Sequence, residues 1–79
     1  MAELAKMDIK DKVGQRIKVL RKELELSQEA LALKAEVDRT YVTDVENGRR
    51  NVSMEILERL VKALGVSFAE FFGSKEFKK

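Results

Sequence analysis

Arg39, Thr40, Thr43 and Asp44 fall within one short stretch, and their types suit hydrogen bonding to the edges of nucleic-acid bases. On a helix they would lie near its start and along one exposed side. An arginine so placed can donate two hydrogen bonds to a guanine edge, and a threonine can meet a thymine methyl group or a polar base edge. Asp44 fits less simply. Its carboxylate repels phosphate unless it accepts from a cytosine amino group or is held by a basic neighbour, so its role stays open. Donors suited to phosphate surround this stretch: Gln28, Tyr41, Asn47, and the run Arg49, Arg50, Asn51. Ser27 and Ser53 mark helix starts, where unpaired backbone N–H groups and a partial positive charge favour an anion.

Each assignment has a plainer competitor. The four polar side chains could form an ordinary solvated helix face, and the basic run Arg16, Lys18, Arg21, Lys22 reads first as a helix exterior. Tyr41 could pack its ring on the domain and leave its hydroxyl in water. Ser53 is sufficient as a helix cap alone. Catalytic chemistry finds no comparable set. With no cysteine and no histidine there is no disulfide, no Cys/His zinc site and no histidine general base. No nucleophile with a base and no phosphate-cradling glycine loop occurs either, so an enzyme is the least expected class, and no cofactor or metal is expected. Sixteen basic against fourteen acidic residues leave a net charge of only +2, which favours nucleic acid only if the positive groups cluster.

Positioning these residues requires helices, and the sequence marks them by periodicity and caps. The 79 residues fit a single all-α domain over 8–73, with 1–7 and 74–79 as frayed termini. The first helix is expected from about Asp8 to Leu24, where Ile9, Val13, Ile17, Leu20 and Leu24 form an apolar stripe. Ser27 caps a short second helix reaching Ala35 and anchored by Leu31; Asp38 caps a third, which buries Val42 and Val45 and ends near Glu46. A tight turn at Ala35 to Val37 joins these two helices. Ser53 opens a fourth helix with Leu57, Leu60, Val61 and Leu64 on its apolar side, closed by Gly65. Ser67 and Glu70 have the spacing of a capping box, so Phe68, Phe71 and Phe72 fall on a short fifth helix ending at Gly73. Three adjacent rings are many for a small core, which leaves at least one for a partner. No long apolar run suggests a membrane span, and Met1 to Met7 lack a secretory signal, so a cytoplasmic protein is expected.

These segments resemble the Cro/CI-type, lambda-repressor-like helix-turn-helix regulators over about Val13 to Phe72. The resemblance is carried by Gly14-Gln15-Arg16-Ile17, by Ser27-Gln28-Glu29-Ala30-Leu31-Ala32, by Tyr41-Val42 with Val45-Glu46-Asn47-Gly48, and by Leu57, Leu60 and Ala63-Leu64-Gly65-Val66-Ser67. Asp38 to Val42, Glu46, Gly48, Arg50 to Ser53 and Phe71-Phe72 look like the controller proteins of restriction-modification systems. The resemblance implies a compact five-helix domain acting as a homodimer on a double-stranded DNA operator with two-fold-related half-sites. It implies base contacts from Arg39, Thr40, Thr43 and Arg50, and backbone contacts from Gln28, Tyr41, Asn47, Asn51 and Ser53. It also implies a buried ion pair between Arg21 and Glu46.

With the exposed-ring argument, the family's habits place the dimer interface on helices four and five, at Ile56, Phe68, Phe71 and Phe72. RNA polymerase is a further candidate partner. The sequence departs from the family at Glu25 and Glu36, where glycine is common; a left-handed backbone there would cost about 1 to 2 kcal/mol. Two alternatives remain: an antitoxin or phage-type repressor of the same family, and a helical protein-interaction module that does not bind DNA.

Overall fold

Ser27, Asp38, Ser53 and Ser67 each cap a helix, as the sequence predicts. The computed structural model describes residues 7–78. Its elements in chain order are α1 (Ile9–Glu23), α2 (Gln28–Ala35), α3 (Arg39–Glu46), α4 (Met54–Leu64), α5 (Phe68–Phe72) and a 3-10 turn (Lys75–Phe77); among the described residues there is no strand. Ser27 accepts from the Ala30 amide at 2.9 Å, Asp38 from Thr40 at 3.2 Å, Ser53 from Ile56 at 3.1 Å and Ser67 from Glu70 at 3.0 Å. The Glu70 carboxylate completes the expected capping box by accepting from the Ser67 amide. A second capping box, between Asp8 and Asp11, starts α1. Each cap stabilises its helix by about 1 kcal/mol.

The helix ends share one device. At the ends of α1, α2 and α4 the chain turns through a left-handed residue, and amide hydrogen bonds reach back to carbonyls of the last turn. After α2, for instance, Val37 donates to the Ala32 carbonyl and Glu36 to Leu33. Gly65 takes this conformation without strain after α4, whereas Glu25 and Glu36 take it with φ of 58° and 60°. Each glutamate therefore carries the cost expected of a left-handed L-residue, about 1 to 2 kcal/mol. The carbonyls that these turns satisfy offset that cost.

Ile17 of α1, Leu31 of α2, Val42 of α3, Leu60 of α4 and Phe71 of α5 meet in the core, each wholly buried. α3 is held between α1 and α2, and α2 packs in turn on α4. Gly14 lets α1 approach α3 closely, since a Cβ there would lie 2.1 Å from the Val45 carbonyl oxygen. The apolar stripe of α1 is shorter than its periodicity suggests: Val13, Ile17 and Leu20 are buried, but Ile9 and Leu24 are 59% and 48% exposed. Both lie at the ends of the helix, where it overhangs the core.

The C-terminal stretch also departs from expectation. Residues 75–77 form the 3-10 turn rather than fraying, and the Phe77 ring packs against the core, 4.8 Å from the Phe72 centroid and 6.0 Å from that of Phe71. The expected loose start at 1–7 lies outside the described residues apart from Met7. No described helix is long and apolar enough to cross a membrane, and no described group of carboxylates is placed to hold a metal ion.

Candidate nucleic-acid interface

α3 turns two different faces to its surroundings. Val42, Val45 and Glu46 point inward and are buried, while Arg39 and Thr40 stand exposed at its start and Thr43 and Asp44 lie half-buried beside them. The helix starts on Asp38, so its first turn projects from the short connection after α2. This is the shape needed to insert a helix N-terminus into a groove.

The inward face is fixed by a buried ion pair. Arg21 donates to both Glu46 oxygens, through Nε at 2.6 Å and Nη2 at 3.0 Å, and its Nη1 donates to the Leu26 carbonyl at 2.8 Å. One guanidinium thus ties together α1, the turn before α2, and the end of α3. The bond to Glu46 pushes the Arg21 pKa still higher, against the opposing effect of burial. This is the pair that the family resemblance implied, and it is structural in position, away from the exposed side of α3.

Gln28 sits at the seam between the two faces. Its amide nitrogen donates to Glu46 Oε1 at 3.0 Å, and its carbonyl oxygen accepts from the Thr43 hydroxyl at 2.8 Å. A side chain expected to be a free phosphate ligand is therefore held by the protein at both ends, leaving one amide hydrogen uncommitted. Sequence spacing gave no hint of this bridge, because Gln28 and Thr43 are brought together only by the packing of α2 on α3.

The open question about Asp44 also receives a geometric answer. Its carboxylate holds Arg50 Nη2 at 3.3 Å, and the Arg50 guanidinium lies over the Tyr41 ring, 4.4 Å from the centroid. Asp44, Arg50 and Tyr41 form one cluster, in which the carboxylate offsets the arginine charge and the ring supports its plane. Tyr41 thereby satisfies the packing role weighed against phosphate binding, and its ring also packs against the core. Arg49, Asn47 and Asn51 are exposed nearby. Ser27 and Ser53 act as caps by accepting hydrogen bonds, so each keeps its hydroxyl proton for another acceptor.

Other basic residues have different work. Arg16 donates through Nε to the Phe71 carbonyl and through Nη2 to that of Glu70, both at 2.8 Å, so it satisfies the C-terminal end of α5 rather than facing an external anion. Neither the basic run nor the Gly14-Gln15-Arg16-Ile17 stretch in which it stands signalled that contact.

The expected dimer residues divide by burial. Phe68 and Phe72 are 45% and 37% exposed and Ile56 is half-buried. Phe71, by contrast, has no exposed surface, which removes it from any direct interface: its ring fills the protomer's own core. Phe77 is an aromatic neighbour that the charged tail concealed; the lone ring among lysines and a glutamate was the available signal.

Comparison with known proteins agrees with this geometry. A family model described as helix-turn-helix matches residues 17–71. The chain is 46% identical over 70 residues to the control protein C.MunI of Mycoplasma sp, a match covering 87% of this chain and 95% of that protein. It is 44% identical over 63 residues to the immunity repressor protein of Bacillus phage phi105, covering 80% of this chain but 44% of the repressor. Among solved structures, the restriction-modification controller protein C.Esp1396I, a tetramer in complex with its natural 35 base-pair operator, superposes with a TM-score of 0.86 at 38% identity, covering 94% of this chain and all of that one. With five helices among the described residues, a helix-turn-helix model matching residues 17–71 and a match over nearly the whole of C.MunI, the chain belongs to the Cro/CI-type helix-turn-helix family, alongside the restriction-modification controller proteins.

Proposed function

We propose that this chain is a sequence-specific DNA-binding regulator of the restriction-modification controller type, acting as a homodimer on a two-fold-related operator. The observation that carries the reading is the projection of Arg39 and Thr40 from the start of a helix whose other face is locked by Arg21 and Glu46. Residues 8–73 would act as one DNA-binding unit. Arg39, Thr40 and Thr43 would face base edges, with Arg50 and Asp44 beside them. Ser27, Gln28, Tyr41, Asn47, Arg49, Asn51 and Ser53 would position the protein on phosphates, where contacts fix register without reading sequence. Ile56, Phe68 and Phe72 supply the exposed apolar surface for the second copy, and RNA polymerase is a candidate partner for a regulator bound near a promoter.

Support for the controller subtype comes from the near-complete coverage of C.MunI and C.Esp1396I. Phage-type repression is the second reading, favoured by the match to the phi105 repressor. Selection from a random-sequence duplex pool tests the common core of both. The expected product is a two-fold motif with half-site centres about one helical turn, or roughly 34 Å, apart. A pool that shows no enrichment after repeated rounds would refute DNA recognition. The neighbouring genes separate the subtypes, since a controller is expected beside a nuclease and a methyltransferase.

A further inference from the structure

We infer that Thr43 meets DNA as a hydrogen-bond acceptor only, and so selects a base presenting an exocyclic amine, adenine N6 or cytosine N4, in the major groove. This inference rests on the DNA reading above and concerns the polarity of one contact within it.

The polarity follows from a chain of groups that begins at a charge. Arg21 offers only donors, and the Glu46 carboxylate that it holds offers only acceptors. Gln28, 3.0 Å from Glu46 Oε1, must therefore turn its amide nitrogen toward the carboxylate. The flipped amide would set its carbonyl oxygen against a carboxylate oxygen. With the nitrogen so placed, the Gln28 carbonyl oxygen faces Thr43 at 2.8 Å. The threonine hydroxyl has one proton, and both groups within its reach are acceptors: Gln28 Oε1 and, at 3.2 Å, the Arg39 carbonyl oxygen. That proton is committed inside the protein. Only lone pairs are left for the groove, and they match an amine but not guanine O6 or thymine O4. Thr43 is the specificity-determining residue here, and Gln28 is a positioning residue that acts through it.

The test begins by selecting operators with the wild-type protein and with Thr43→Val, which exchanges the hydroxyl for a methyl group of similar size. The base pair whose preference relaxes in the variant is the Thr43 contact. At that pair, adenine is replaced by purine, or cytosine by 2-pyrimidinone, each lacking the exocyclic amine. Wild-type affinity should fall about tenfold, within the range for one specific base contact. Thr43→Val should bind both duplexes alike, which also controls for the weakened base pair. Removing the O4 or O6 carbonyl of the partner base should leave Thr43-dependent affinity unchanged.

Gln28→Met removes the nearer acceptor, so the amine dependence at that one pair should shrink while preferences at other pairs persist. Uniform weakening with unchanged amine dependence would overturn the relay through Gln28. An enriched operator with no Thr43-dependent pair, or one whose Thr43-dependent pair requires the carbonyl, would overturn the polarity while leaving DNA recognition intact. Failure of the wild-type protein to enrich any motif would instead defeat the DNA reading itself.

Discussion

The two faces of α3 are built on opposite principles. Its inner face joins buried valines to a charge pair satisfied wholly within the protein, so changes there are felt as stability. Its outer face presents Arg39 and Thr40 to solvent, where each can be exchanged without leaving a cavity or an unpaired buried group. On the proposed DNA reading, stability and selectivity would therefore be separable along most of this helix. They meet at Gln28 and Thr43, where a bond network rooted in the core reaches the exposed surface.

The strongest way to break this separation is Glu46→Ala, which leaves Arg21 buried beside no carboxylate. Unfolding by urea should show a loss of about 3 to 5 kcal/mol, enough to threaten folding of a domain this size. Replacing the pair together, Arg21→Met with Glu46→Leu, should recover much of that loss, because no buried charge is then stranded. Stability should recover without operator selectivity, since the double variant also removes the carboxylate that orients Gln28.

Gly14→Ala tests the inner face without touching a charge. Its Cβ would meet the Val45 carbonyl oxygen at 2.1 Å, so α1 and α3 must separate. The expected destabilisation is about 1 to 3 kcal/mol, the usual range for forced overpacking, and thermal unfolding reads it directly. An unchanged melting temperature would show that the α1–α3 contact is softer than the close approach implies.

Arg39→Ala should do the reverse. Its unfolding free energy should stay within about 0.5 kcal/mol of the wild type, as for other exposed substitutions. Binding to the selected operator should weaken by about 1 to 3 kcal/mol, with relaxed preference at one base pair. An equal loss on all sequences would place Arg39 on phosphate instead.

Smaller effects belong to the helix ends, outside both faces. Glu36→Gly should raise stability by about 1 kcal/mol by removing left-handed strain, while leaving operator choice unchanged. The mildest expected effect is at Asp8, whose carboxyl pKa is lowered, chiefly by the Asp11 amide hydrogen bond. A depressed carboxylate contributes stability above its unfolded pKa and loses it as pH falls through the folded value. Protection of the Asp11 amide from hydrogen exchange should therefore fall in acid, and Asp8→Ala should abolish that dependence at this end of α1.

Local chemistry made the helices legible before any packing was known. Ser27, Asp38, Ser53 and Ser67 each accept the amide hydrogen bond their positions suggested, because an N-cap depends on a few adjacent residues. The spacing of Val42 and Val45 likewise assigned an inner side to α3, and with it the exposed placement of Arg39 and Thr40. Glu25 and Glu36 stood where a left-handed residue was needed, and both adopt that conformation.

Packing decided the rest. Periodicity extended the stripe of α1 to Ile9 and Leu24, but only the neighbouring helices determine how far a core reaches. Three phenylalanines at the start of a charged tail suggested an interface set, yet which ring filled the protomer's interior depended on the meeting of α1, α5 and the final 3-10 turn. The assignment of Asp44 to Arg50, of Arg16 to the end of α5, and of Gln28 to both Glu46 and Thr43 had no local signature. Hydrogen-bond partners distant in sequence are chosen by the fold. Periodicity and caps, being local, were enough to show which helix displays Arg39 and Thr40; packing chose which of the surrounding protons and charges are already in use.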